Sequence, residues 1–340
     1  MTNGMTEAWA YCEEMLPLVS RTFSLNIQRL EGTLHRAVLV GYLLFRIADT
    51  LEDCEEMKEE EKIRLLTDLS ELLSHSRLSA TCLQERRLFR EGLQKETPEM
   101  DLVWHGDRVF CCLESLPLPY RSAVVEALGE CIEGMIAYQL RKQRSSAPIF
   151  QLRDDEDLIR YCYYVAGVVG KMLTELFCLE RSVSPHREAL VKEQVHFGIG
   201  LQMVNIVKDY TKDIARGWCY LPRSLTEWVG IEVEELRDNP TLKRGEIILQ
   251  MTQKVLPHLE GAHRYIRALP LRQKKIRMFC IIPFVLAYHT LVHLLESGEE
   301  KLRRAQVETL LRACETFTIS DDALTCDYEL VKARIRAVGS

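Results

Sequence analysis

The chain has 340 residues, 47% of them apolar and 28% charged, with a formal net charge of −6. That composition excludes disordered and collagen-like classes, and an acidic balance with no Lys/Arg block argues against a general nucleic-acid binder. At this length roughly three quarters of the unfolded surface can be buried, so one large core needs no staples.

The helical period dominates from end to end, while alternating β-branched runs are scarce, which predicts an all-α fold. The opening MTNGMTEAWAYCEEM has no cationic stretch followed by an apolar one, so no secretory signal is expected. Gly32 or Thr33 opens a predicted helix over His35 to Asp53. Residues 115–119 form a break before a helix from Tyr120 to Lys142, and RSSAPIF (144–150) is the clearest loop. The acidic DDED at 154–157 suits a helix N-terminus ahead of Tyr161. A further helix is predicted from about Lys192 to Ile214, broken by ARGWCYLP (215–222). Pro257, Pro270 and Pro283 are expected to punctuate the last third. The apolar run Met278 to Leu295 is near the length of a membrane span but reads better as a buried core helix. The charged tail after it ends at RIRAVGS, so no C-terminal anchor is expected. No repeat or low-complexity linker divides the chain, which predicts a single domain over residues 1–340.

Twelve cysteines are scattered singly apart from Cys111 and Cys112, with no CxxC, so zinc ribbons and thioredoxin-like motifs are unsupported. Scattered thiols without a signal sequence imply a reducing compartment, with the thiols acting as small buried hydrophobes. The expectation is a cytoplasmic protein whose membrane contact, if any, is peripheral and made without a transmembrane anchor.

Two of the predicted helices carry carboxylates in a pattern that suggests chemistry. With Asp49 at zero on a wheel of about 100° per residue, Tyr42 falls at roughly 20°, Asp53 at 40°, Arg46 at 60° and Phe45 at −40°. The rest of the segment is apolar on nearly every side, so the helix is buried and its charges must be paired, hydrogen-bonded or metal-bound. A structural ion pair between Arg46 and Asp49 is one reading. In LQMVNIVKDYTKDIARG (201–217), Gln202, Asn205, Asp209 and Asp213 share an arc of roughly 80°. Alone this is an amphipathic helix with a solvated stripe. Two helices each offering oxygen ligands at i and i+4 can instead face one another and enclose Mg²⁺, which in turn handles phosphate oxygens. Arg46, Lys208 and Arg216 lie beside the two motifs and would complete such a clamp.

The order of five blocks makes the pattern specific. SRTFSLNIQRL (20–30), FRIADTLED (45–53), YCYYVAGVVG (161–170), NIVKDYTKD (205–213) and FCIIP (279–283) together resemble the squalene/phytoene synthase family, the head-to-head prenyl transferases of the all-α isoprenoid-synthase fold. The third and fifth blocks stand nearer the eukaryotic squalene synthase branch, and ARGWCYLP nearer the bacterial pattern. Lys208 stands where many relatives have Arg, which would change a bidentate phosphate contact into a point charge.

The resemblance implies a helical bundle around a central apolar cavity, with farnesyl diphosphate as substrate and Mg²⁺ and NADPH as cofactors. Two farnesyl diphosphates would be condensed head to head to presqualene diphosphate and reduced to squalene. The alternatives are a dehydrosqualene or phytoene synthase without the reductive step, or an enzyme that stops at presqualene diphosphate. Residue by residue, it implies Mg²⁺ held by Asp49 and Asp53, with Glu52 assisting, and by Asn205, Asp209 and Asp213. Ser20, Arg21, Thr22 and Arg46 would contact diphosphate. Tyr161 would assist proton removal or steady a carbocation. Phe23, Tyr42, Gly167, Gln202, Phe279 and Pro283 would line the cavity. Gly167 and Gly170 each cost about 1 kcal/mol inside a helix; close approach of a prenyl chain or ordinary helix packing would offset that. Basic residues at Arg272, Lys274, Lys275 and Arg277 would meet NADPH phosphates, anionic lipid or solvent. His289 and His293 lack the Glu of HExxH and a third ligand, so they are expected to be ordinary core or surface histidines.

Overall fold

A helix with no proline and apolar residues on almost every face is stable only out of water, in a protein core or a membrane. The segment Gly32–Asp53 (α3) meets that description. Gly32 turns into it at φ 59, and the chain leaves it at Cys54 in an extended conformation. Leu39, Val40, Leu43, Leu44, Ile47 and Ala48 are fully buried along it. A computed structural model describes residues 3–20, 22–74 and 97–338, and among these all longer elements are helices. They fall into two compact units, Met1–Arg144 with Glu175–Leu179, and Ser145–Thr174 with Glu180–Ser340.

In the first unit α3 is packed by α1 (Asn3–Val19), α4 (Glu59–Ser74), α5 (Pro98–Trp104), α6 (Gly106–Glu114) and α7 (Leu118–Gln143), with the short α2 (Thr22–Ile27) beside it. Local signals set the ends of these helices. The Thr97 side chain accepts the Met100 amide at 3.2 Å, with Pro98 in the first helical turn, and Arg141 and Lys142 close α7. The predicted break at 115–119 is narrower in the structure, since Leu118 and Pro119 already belong to the helix.

The second unit is built on α10 (Arg187–Ala215) packed along α13 (Arg244–Ala268). Before them come α8 (Asp155–Cys162), a π-helical turn (Tyr163–Gly167) and α9 (Val168–Cys178). As the DDED pattern predicts, Asp154 caps α8 by accepting the Asp157 amide at 2.9 Å. Two small helices, α11 (Arg223–Val229) and α12 (Val233–Asp238), precede α13; α14 (Lys274–Ser297), α15 (Arg304–Ile319) and α16 (Asp321–Val338) follow it. Two two-residue strands pair in parallel, Phe150 with Trp218 and Gln151 with Cys219. A β-carbon added at Gly170 would collide with the carbonyl oxygen of Gln194, and one at Gly198 with that of Ala166. These two glycines therefore let α10 touch its neighbours backbone to backbone.

Two expectations need correction. Pro257 and Pro283 do not end helices; α13 and α14 run through them, and only Pro270 lies in a break. An interior proline costs about 3 kcal/mol, and burial of Ile281, Ile282, Phe284 and Val285 around Pro283 outweighs it. Arg277 does not face solvent, lipid or phosphate. It is 0% exposed and donates to the carbonyls of Ile266 (2.9 Å), Leu269 (2.8 Å) and Thr318 (2.9 Å) and to Asp321 (2.6 Å), holding the C-terminal ends of α13 and α15.

The apolar run sits in α14, a helix long and apolar enough to cross a membrane, yet 61% of its most apolar window is buried in the protein. His289 pairs with Asp327 at 3.1 Å and His293 with Glu299 at 3.3 Å, so both are engaged with carboxylates. All eleven described cysteines are free thiols, and nine of them are buried.

Candidate active site

In the first unit the last turns of α3 open onto a cleft of about 670 Å³. Arg46, Asp49, Thr50 and Asp53 line it, followed by Cys54, Glu55 and Glu56 and by Thr97, Glu99 and Met100 at the start of α5. Five carboxylates thus meet one guanidinium, an imbalance that calls for added positive charge. The Asp49 carboxyl reports the strain. Burial pushes it up to about 6, with repulsion from Asp53 adding to the rise and Arg46 opposing it. Arg46 lies 3.9 Å from Asp49 and donates to the Tyr42 hydroxyl at 3.0 Å, while its Nε is buried with no partner. The Tyr42 ring in turn lies 5.9 Å from that of the exposed Phe23. The structure therefore brings Phe23, Tyr42, Arg46, Asp49 and Asp53 into one neighbourhood.

Other residues of the first motif sit differently. Glu52 is buried and does not line the cleft; its Oε1 has no hydrogen-bond partner, and burial followed by repulsion from Asp53 and Asp49 pushes it up to about 8. Beside it, the buried Lys62 donates to the Glu52 carbonyl at 2.7 Å. The Ser20 hydroxyl accepts the Phe23 amide at 3.1 Å, capping α2. Thr22 opens that helix. Arg21 and the Thr22 side chain lie outside the described residues.

The second motif lies along α10. Asn205 is exposed, Asp209 half-buried and Asp213 buried, so the stripe dips inward toward its C-terminal end. Each acid carries a protein cation. Lys208 reaches Asn205 at 3.2 Å and Asp209 at 3.1 Å; Lys212 bonds Asp209 from the other side; Arg216 bonds Asp213 at 2.6 Å. Burial alone would raise the Asp209 carboxyl, but the Lys212 and Lys208 contacts hold it below the ordinary range. Lys212 escapes a reading confined to the acids, although its i+3 spacing from Asp209 is the available signal.

Tyr161 is buried and stacks on Tyr220 with ring centres 4.4 Å apart; Tyr220 stacks on Trp218 at 5.7 Å, and Phe150 meets Trp218 edge-on. The parallel strand pair creates this ladder by placing Phe150 opposite Trp218. The π turn follows directly after Tyr161 and Cys162 and ends at Gly167, where an added β-carbon would press on the Tyr163 ring and Ile199. Gln202 is half-buried, and Phe279 and Pro283 lie buried one turn apart on α14.

Among the described residues no three His, Cys, Asp or Glu side chains converge as a ready-made metal cage. Mg²⁺ keeps several waters, takes one or two carboxylates and shares substrate phosphate oxygens; Asp49 and Asp53 on the cleft wall are carboxylates of that kind. An acid-rich cleft, a carboxyl raised by burial and like charge, and a buried guanidinium Nε without a partner fit a cation bound together with an anion.

Comparison with known proteins follows the same line. The squalene/phytoene synthase family profile matches residues 16–312. Squalene synthase 1 of Arabidopsis thaliana is 30% identical over 320 residues, covering 91% of this chain and 72% of that protein. The solved ligand complex of TcSQS superposes with a TM-score of 0.77 at 21% identity, over 98% of this chain and 99% of that one. A ligand-bound dehydrosqualene synthase superposes with a TM-score of 0.63 at 20% identity, over 92% and 97%. At such identities the superpositions speak for the fold alone, and they bear out the expected all-α isoprenoid-synthase fold.

Proposed function

This chain belongs to the squalene/phytoene synthase family, and we propose on that premise that it condenses two farnesyl diphosphates head to head into presqualene diphosphate and reduces this with NADPH to squalene. The observation that carries the reading is the acidic cleft at the end of α3, where Asp49 and Asp53 stand beside a guanidinium with an unpartnered donor. The similarity to a plant squalene synthase over nine tenths of the chain supports the reductive branch.

Mg²⁺ held by Asp49 and Asp53, and by Asn205, Asp209 and Asp213, would supply charge stabilisation to the departing diphosphate. The chain's own cations do the rest of that work. Arg46 donates from its buried Nε, Lys208 and Arg216 donate along the second motif, and Ser20, Arg21 and Thr22 contact a diphosphate. Tyr161, backed by Tyr220 and Trp218, offers a π face to the carbocation and a phenol Oη to a departing proton. Phe23 and Tyr42 in the first unit, and Gly167, Gln202, Phe279 and Pro283 in the second, would each meet prenyl carbon and keep water from the cation. With Arg277 committed to the core, the exposed Arg272, Lys274 and Lys275 would meet the phosphates of the NADPH co-substrate. The free and mostly buried thiols support a reducing, cytoplasmic location.

Mass spectrometry of products made from C15 and C20 diphosphates, with Mg²⁺ and with or without NADPH, tests the proposal. Squalene formed only when NADPH is present is the expected result. A C30 product with a central double bond, indifferent to NADPH, moves the activity to dehydrosqualene synthesis. A C40 product moves it to phytoene synthesis, and presqualene diphosphate accumulating with NADPH present marks an enzyme that stops at the intermediate. No diphosphate release under any condition rejects the reading.

A further inference from the structure

Lys212 stands between two carboxylates. Its ammonium bonds Asp209 on its own helix and reaches Glu300 Oε2 at 3.1 Å. Glu300 belongs to the segment 298–303 that joins α14 to α15, nearly ninety residues further along the chain. The other oxygen of Glu300 faces Arg244 at 3.5 Å, and the same guanidinium donates to the Gly298 carbonyl at 3.3 Å, which pins the segment at its start. Arg244 also lies 5.9 Å over the ring of Tyr210, the residue after Asp209. It is set there by Lys243, the one non-glycine with a left-handed backbone among the described residues, at φ 55. A β-branched or bulky residue would resist that conformation, and even lysine holds it only where surrounding contacts dictate it.

The arrangement alternates in sign: Lys208, Asp209, Lys212, Glu300, Arg244. A divalent ion arriving at Asp209 must share or evict the ammonium already bound there, since two cations cannot hold one carboxylate without repulsion. Released into water, a lysine regains its rotamer freedom and is lost to the site. Here a second carboxylate already lies within bonding distance. We propose that Glu300 is a positioning residue for the second carboxylate motif: it already shares Lys212 with Asp209 and retains it when a divalent cation takes Asp209, so that metal binding gives up one of the two ion pairs and keeps the lysine at the site. The inference rests on the assignment of Asp209 as a metal ligand made under the proposed function. Glu299, the next residue back, pairs instead with His293 and Arg303 and serves as a control within the same segment.

The test is direct. Mn²⁺ binding is followed by electron paramagnetic resonance in the presence of inorganic pyrophosphate, for the full chain and for the Glu300→Gln, Glu300→Asp and Glu299→Gln variants. Glu300→Gln is expected to weaken Mn²⁺ binding roughly twofold to fivefold, the range of a partly exposed ion pair. Glu300→Asp should restore part of the loss and Glu299→Gln should leave binding unchanged. In steady-state assays the Mg²⁺ concentration for half-maximal rate should rise by the same factor for Glu300→Gln, with kcat moving less. Thermal melts of all four proteins without metal separate this from a folding defect, which would move the melting temperature together with binding. Equal Mn²⁺ affinity in the parent and Glu300→Gln overturns the positioning role. So does an equal weakening by Glu299→Gln, which would mean net charge alone is at work. If the parent binds Mn²⁺ and pyrophosphate in the expected order of variants but makes no C30 product, the positioning role stands and the proposed activity falls.

Discussion

Asp49→Asn separates stability from activity at one atom. The Asp49 carboxyl is raised from its ordinary 3.8 to about 6, first by burial and then by Asp53, with Arg46 pulling the other way. A rise of that size corresponds to about 3 kcal/mol at 1.36 kcal/mol per tenfold change. Because 42% of the side chain meets solvent, screening reduces it to on the order of 1 kcal/mol. The sign follows from proton binding: the folded chain holds this proton more tightly than the unfolded chain. Ionised Asp49 therefore destabilises the fold; the penalty is absent below pH 3.8 and complete above pH 6. In metal-free buffer with chelator, Asp49→Asn should match the parent protein in urea denaturation at pH 4 and exceed it by about 1 kcal/mol at pH 7.5, or about 1–2 °C in melting temperature. Mg²⁺ with pyrophosphate should then stabilise the parent and not the variant, and diphosphate release from farnesyl diphosphate should disappear in the variant. A variant less stable than the parent at pH 7.5 without metal would refute the reasoning, because it would make the Arg46–Asp49 contact a structural ion pair.

Three further outcomes follow from particular contacts. Glu52→Gln removes a carboxyl that burial pushes to about 8, so it should stabilise the protein by on the order of 5 kcal/mol above pH 8 and not at all below pH 4.5, as read by denaturation at the two extremes. Arg277→Leu should cost about 3–5 kcal/mol in urea unfolding by stranding Asp321 and three helix-end carbonyls, and Arg277→Lys should recover little because one ammonium cannot serve them all. Gly198→Ala should cost about 3 kcal/mol or more by the same measure, whereas alanine at Gly4, which meets nothing nearby, should be tolerated.

The helices announce themselves wherever local chemistry is strong. The all-round apolar run of α3, the acidic cap of α8 and the oxygen stripe of α10 were each legible, because burial, capping and period act within a turn or two. Pro257 and Pro283 mislead for the opposite reason: a proline's local penalty is smaller than the burial its helix gains from distant partners. The inward position of Glu52 is half visible, since on the wheel it falls near −60°, beside Phe45. Glu99 reaches the first cleft from α5, and Glu300 reaches Lys212 from beyond α14; nothing in either local sequence names its destination. The strand pair that stacks Tyr161 on Tyr220 spans two residues a side, too short to show any period.

Gly170 and Gly198 deny α10 any compliant cushion at its crossings. Where side chains separate two helices, a substitution can be absorbed by a rotamer or a slide of a few tenths of an ångström. Main chain against main chain leaves no such slack. The phenol of Tyr161 and the acids of the second motif thus ride on pieces whose spacing is a hard stop, indifferent to which residues drift elsewhere in the unit. Sequence change elsewhere in the unit can be absorbed by repacking side chains, while the tolerances of this frame stay those of two glycines.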